Sequence, residues 1–164
     1  MPGRSGKAGP RRRKLIIKEK SRYLFDGSKI PGGDLVKTIL IVDDEVYTRD
    51  HLGKIIEKQG FKALTAGTGE DGIKLYRENR PDYVLLDILL PGIDGEDVFK
   101  YIKEIDPDAK IFFITGCDNI FSVEDAVKMG AKGFLTKPIF VDDIMKLLNT
   151  LETHKQMDFF NPES

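Results

Sequence analysis

With 164 residues, 40% of them apolar and 32% charged, the chain is long enough to bury a core without disulfides or a structural metal, and it reads as one domain with an extension. Its single cysteine, Cys117, excludes an internal disulfide and points to a reducing compartment, and no apolar run comes near the ~18 residues of a membrane helix. The net charge of −1 hides a division: residues 1–37 carry 11 Lys/Arg against 3 Asp/Glu, and the remainder carries 15 against 24.

The basic arm comes first. Residues 1–13, MPGRSGKAGPRRR, combine Gly, Pro, Ser and Arg and are expected to be disordered, because they bury too little to offset chain entropy. KLIIK (14–18) and RYLF (22–25) read either as two short strands or as a docking segment. Arg12-Arg13 ahead of Leu15-Ile16-Ile17 resembles a twin-arginine export signal, but Lys18 ends the apolar run at once. Export is therefore rejected, and the expected location is cytoplasmic. Ile30 to Asp34, IPGGD, reads as a linker, which gives an extension over 1–34, a domain over 35–154 and a short tail over 155–164.

From Leu35 the pattern becomes a regular alternation. TILIV (38–42) is an apolar, β-branched run expected of a strand buried on both faces. Asp43-Asp44-Glu45 ends it, and a helix follows to about Lys58, with Leu52, Ile55 and Ile56 on one face and Gly60 as its stop. FKALTA (61–66) is a second, weaker strand, and Glu70 to Asn79 a helix carrying Ile73, Leu75 and Tyr76. YVLL (83–86) is the third strand. It leads to Asp87, the Pro91-Gly92 turn and a helix from Glu96 to Ile105 with Val98, Phe99 and Ile102 as its core face. KIFFIT (110–115) is the fourth strand, a helix near Ser122–Met129 ends at Gly130, and GFLT (133–136) is the fifth strand. The last helix, Val141 to about Thr153, keeps a 3.6-residue period through Val141, Ile144, Leu147, Leu148 and Leu151. Strands alternating with helices imply right-handed crossovers and a parallel sheet between helical layers, an α/β fold.

In such a sheet, ligands sit beyond the carboxyl ends of the strands. The first strand delivers Asp43 and Asp44 there, the third Asp87, the fourth Thr115 and the fifth Lys137. Two carboxylates about 4 Å apart repel by roughly 4 kcal/mol at an effective dielectric of 20, so either one holds a proton or a divalent cation lies between them. Oxygen donors without His or Cys favour Mg²⁺ or Mn²⁺ over zinc. Lys137 and Thr115 suit the oxygens of a phosphoryl group, and Asp87 could act as a nucleophile towards phosphorus. Each feature alone has a plainer reading as a solvated loop, a cap or a strand end. Their joint placement at the ends of strands one, three, four and five is what argues for a site. Asp87 itself is expected at the rim, solvated and paired with metal, where the cost of burying a carboxylate does not arise.

ILIVDDE, YVLLDILLPGIDG, FFITG and GFLTKP, in this order and spacing over about residues 36–153, closely resemble the receiver domain of two-component response regulators. The resemblance implies a flavodoxin-like (βα)₅ three-layer sandwich with strand order 2-1-3-4-5. It implies that Asp87 is the phosphoacceptor and that Asp43, Asp44, Asp87 and the Leu89 carbonyl hold Mg²⁺. Thr115 and Lys137 would contact phosphoryl oxygens, Phe134 would be the aromatic switch that moves with Thr115, and the Lys137-Pro138 bond would be cis. Phosphorylation adds about −1.5 to −2 charge, and a shift from 1:99 to 99:1 needs about 5.5 kcal/mol of preference for the active state. The fourth helix, fifth strand and last helix would carry the readout. Leu90 stands where the family often has Met. Leu89 and Cys117 occupy positions where polar side chains help to place attacking water, so Leu89 implies slow self-dephosphorylation.

These features describe a signalling phosphoacceptor rather than an enzyme, expected to stand alone because only about ten residues follow the last helix. Its donors would be a sensor histidine kinase or a histidine phosphotransfer protein, and its target a protein of unknown identity; a homodimer is left open. His51 and His154 look like surface helix residues. The basic arm reads as a solubilising tail or as an attachment to nucleic acid, an anionic membrane or the domain's own acidic rim. A haloacid-dehalogenase-type phosphatase would need a second Asp where Leu89 stands. A flavodoxin-like electron carrier would not place three acids after its first strand, and a toprim-type nuclease leaves Thr115 and Lys137 unexplained.

Overall fold

The computed structural model describes residues 36–116 and 122–153, so the expectations for the arm, Cys117, His154 and the tail lie outside the described residues. The chain alternates strictly: β1 (Thr38–Val42), α1 (Val46–Lys58), β2 (Lys62–Ala66), α2 (Gly69–Asn79), β3 (Tyr83–Asp87), α3 (Gly95–Ile105), β4 (Ile111–Thr115), α4 (Val123–Met129), β5 (Gly133–Thr136) and α5 (Val141–Thr153). All strand pairings are parallel, in the order β2-β1-β3-β4-β5. This is the flavodoxin-like sandwich expected from the sequence. Among the described residues, no helix is long and apolar enough to cross a membrane.

Alternation of side chains along the strands divides the core in two. Leu40, Val42, Val84, Leu86, Ile111 and Phe113 face α2, α3 and α4, which contribute Tyr76, Val98, Phe99, Ile102 and Ala126. Ile39, Ile41, Leu85, Phe112 and Ile114 face α1 and α5, which contribute Leu52, Ile56, Ile144, Leu147, Leu148 and Leu151. Each buried Val, Leu, Ile or Phe side chain among them stabilises the fold by about 1.5–3 kcal/mol. The central strands are thus apolar on both faces, as their unbroken apolar runs require.

Helix starts are set by side-chain caps. Thr68 accepts the Asp71 N–H at 3.1 Å, and Asp94 accepts the Asp97 N–H at 2.9 Å. These caps begin α2 at Gly69 and α3 at Gly95, one residue earlier than the apolar pattern marks. Ser122 and Asp125 form a reciprocal capping box at the start of α4. After α1 and α4 the chain turns through Gly60 and Gly130, with φ of 83° and 88°, values that a side chain would strain. β2 and β4 each begin one residue later than the sequence pattern suggests, at Lys62 and Ile111.

This order brings the carboxyl ends of β1, β3, β4 and β5 side by side. The connection reverses direction at β1, so the crevice between β1 and β3 is the natural ligand position.

Candidate functional site

The site is built from four strand ends. β3 closes on Asp87, whose Oδ1 accepts the Leu89 N–H at 2.9 Å and whose Oδ2 accepts from the Lys137 ammonium at 2.9 Å. β1 hands over to Asp43, whose own N–H donates to the Ala66 carbonyl at 3.1 Å and whose Oδ1 accepts the Glu45 N–H at 2.8 Å. Lys137, just past β5, donates its backbone N–H to the Thr115 carbonyl at 2.7 Å, which ties the end of β5 to the end of β4. Thr115, the last residue of β4, is buried.

Asp87 is not solvated at a rim. It is 4% exposed and Asp43 is 0% exposed, so the expectation from the sequence is corrected. A carboxylate drawn out of water this far must be compensated. Lys137 supplies the compensation, with Nζ 2.9 Å from Asp87, 2.8 Å from Asp43 Oδ2 and 3.5 Å from the exposed Glu45. Burial pushes the Asp87 carboxyl above the usual aspartate range, and the Lys137 hydrogen bond opposes this without cancelling it, while the nearby Asp43 charge adds to it. Burial pulls the Lys137 ammonium down, but its attraction to Asp43 and Asp87 outweighs burial and holds it above the lysine range. Lys137 is therefore a fixed cation.

The donor set fits a hard divalent cation. Asp43, Asp44 and Asp87 each offer a carboxylate oxygen, and these lie within 4.8 Å of one another. Asp43 Oδ2 is fully buried, and the contact it makes among the described residues is the Lys137 ammonium at 2.8 Å. A buried carboxylate oxygen beside two further carboxylate donors, with no His or Cys in the cluster among the described residues, suits Mg²⁺ or Mn²⁺.

The remaining expected residues fall around this centre. Leu89 is 47% exposed, with its N–H turned to Asp87. Phe134 pairs in register with Phe113 and packs, half-buried, against the α2–α4 side of the core. The Lys137-Pro138 bond is cis. The motif reading missed two groups. Arg49 in α1 donates to both the Asp43 and Asp44 carbonyls. Gly95 lies so close to the end of β3 that an added Cβ would meet the Asp87 carbonyl oxygen and the Ile88 Cα. A small residue opening a helix directly after its Asp cap was the available signal for Gly95. Arg49 offered none, since an arginine in the first turns of a helix is unremarkable.

Residues 39–149 match the family model described as response regulator receiver domain. The chain is 38% identical over 114 residues to the chemotaxis protein CheY of Thermotoga maritima, covering 69% of this chain and 95% of that one. It is 32% identical over 106 residues to sporulation initiation phosphotransferase F of Bacillus subtilis, covering 65% and 86%. Among solved structures it is similar to a receiver domain protein from Clostridium thermocellum, with a TM-score of 0.67 and 28% identity over 74% of this chain and 98% of that one. It is also similar to a chain of the CheX-CheY-BeF3-Mg²⁺ complex from Borrelia burgdorferi, with a TM-score of 0.66 and 29% identity over 80% and 96%. The chain belongs to the response regulator receiver domain family, the receiver class of two-component signalling.

Proposed function

We propose that Asp87 accepts a phosphoryl group from a phosphohistidine, carried by a sensor kinase or a histidine phosphotransfer protein, and that the modified domain changes its affinity for a protein target. The observation that carries this reading is the pairing of Asp87 Oδ2 with a fixed Lys137 cation at the tip of the central strands. The name of the similar sporulation phosphotransferase and the Mg²⁺ in the similar complex structure support it.

In the transfer, an Asp87 oxygen attacks phosphorus, a P–O bond forms, and the P–N bond to imidazole breaks with its electron pair returning to nitrogen. The Leu89 N–H holds the second carboxylate oxygen, so the nucleophile enters in one orientation. Lys137 is already beside Asp87 and passes from a carboxylate oxygen to a phosphoryl oxygen as charge moves outward. Asp43, Asp44, Asp87 and the Leu89 carbonyl would hold Mg²⁺, which when bound neutralises phosphoryl charge. The Thr115 hydroxyl takes another phosphoryl oxygen, and Phe134 follows its movement. The surface of α4, β5 and α5 then presents the change to the target.

Phosphoramidate, a small P–N donor, tests the reading. The protein with Mg²⁺ should gain one phosphoryl group, labile to hydroxylamine as an acyl phosphate is, and mapping to the peptide that contains residue 87. A hydroxylamine-stable phosphate on another peptide would overturn it.

A further inference from the structure

Asp44 is the exposed member of the carboxylate cluster, and its side chain makes no hydrogen bond or ion pair among the described residues. Its position is set through its backbone. There Arg49 reaches back from α1, with Nη1 2.7 Å from the Asp43 carbonyl and 3.0 Å from the Asp44 carbonyl. One nitrogen therefore gathers two successive peptide groups of the β1–α1 loop.

The same guanidinium also lies against the β2–α2 loop. A Cβ at Gly67 would stand 3.2 Å from Nη1, 3.4 Å from Cζ and 3.5 Å from Nη2, so three atoms of the plane lie over this glycine. Gly67 leaves the space that the flat group occupies, and a lysine could reach the carbonyls but not fill that slot. Arg49 is also a positive charge beside a site for a divalent cation. On charge alone it weakens metal binding, so its presence there needs a different reason.

We propose that Arg49, seated on Gly67, is a positioning residue that holds the Asp43–Asp44 loop in its metal-binding shape. The inference rests on the reading of Asp43, Asp44 and Asp87 as Mg²⁺ ligands. Its sign is opposite to that of simple electrostatics. Loss of the guanidinium removes a repulsion, yet affinity for Mg²⁺ falls because the ligands lose their frame.

Calorimetric titration of Mg²⁺ into wild type, Arg49→Met, Arg49→Lys, Gly67→Ala and Asp44→Asn tests this. Arg49→Met should bind about ten- to a hundredfold more weakly, as outer partners of metal ligands commonly do, with Arg49→Lys between it and wild type. Gly67→Ala, which keeps the charge and presses the plane by a few tenths of an ångström, should weaken binding less, and Arg49→Lys serves if Arg49→Met fails to fold. In metal-free protein, hydrogen exchange at the Glu45 amide, which Asp43 Oδ1 holds at 2.8 Å, should accelerate in Arg49→Met and Gly67→Ala. Equal or tighter Mg²⁺ binding by folded Arg49→Met, or by Arg49→Lys where Arg49→Met does not fold, would overturn the inference while wild type and Asp44→Asn still differ. Wild type that takes no Mg²⁺ would overturn the metal assignment, and the inference with it.

Discussion

At the scale of single residues, the site is an argument about what surrounds Asp87. Its pKa in the folded chain lies above the ordinary value, with burial the main cause. An acid shifted this way contributes stability below its unfolded pKa and loses it as the pH rises through the folded value, so the ionised group is a burden at neutral pH. Asp87→Asn removes that burden, and metal-free Asp87→Asn should melt above wild type at neutral pH. The gap should close as the pH falls through the folded pKa of Asp87; a variant less stable than wild type at neutral pH would contradict this. Under the proposed function, Leu89 bears on a different property, the lifetime of the phosphorylated form. Half-exposed beside Asp87, its side chain presents no polar atom that could orient water towards phosphorus. Leu89→Gln should shorten the lifetime of the phosphorylated form, measured as phosphate release in Mg²⁺. Wild type that loses its phosphoryl group with a half-life of seconds would refute the role given to Leu89.

At the scale of elements, close approach matters more than propensity. Gly95 opens α3 against the end of β3, where an added Cβ would stand 2.6 Å from the Ile88 Cα, an atom of the backbone that cannot swing aside. Gly95→Ala should cost about 1–3 kcal/mol, as overpacking does, and should slow phosphorylation by moving the strand end that carries Asp87. Gly53, within α1, is the control. Its added Cβ would meet only the Ala63 Cβ at 3.9 Å, so Gly53→Ala should stabilise by about 0.4–1 kcal/mol. Thermal melts of both variants check the pair. Helices and strands were legible in the sequence because both faces of the sheet are covered, which leaves unbroken runs such as TILIV and spaced apolar faces such as Leu52 and Ile56. Helix starts were off by one residue at Gly69 and Gly95, where the cap rather than the apolar period decides.

At the scale of the whole molecule, the strand order turns scattered motif residues into one centre. Asp43, Asp44, Asp87, Thr115 and Lys137 could be chosen from the sequence because each closes or follows a strand, and a parallel sheet brings such ends together. The burial of Asp43, Asp87 and Thr115 could not be read there, since it depends on tertiary packing around the strand ends. Nor could Arg49, whose partners are carbonyl oxygens that no motif records. The same sheet explains how a local charge could act at a distance. Lys137 stands just past the end of β5 and Phe134 lies within it, so under the proposed function a phosphoryl group that draws on Lys137 and Thr115 would pull on the strand beside α4 and α5. All of this depends on Asp87 as the acceptor. The most direct test is intact-mass measurement of wild type and Asp87→Asn after incubation with acetyl phosphate and Mg²⁺. Wild type should gain the mass of one phosphoryl group and Asp87→Asn none; a gain that survives the substitution would contradict the account.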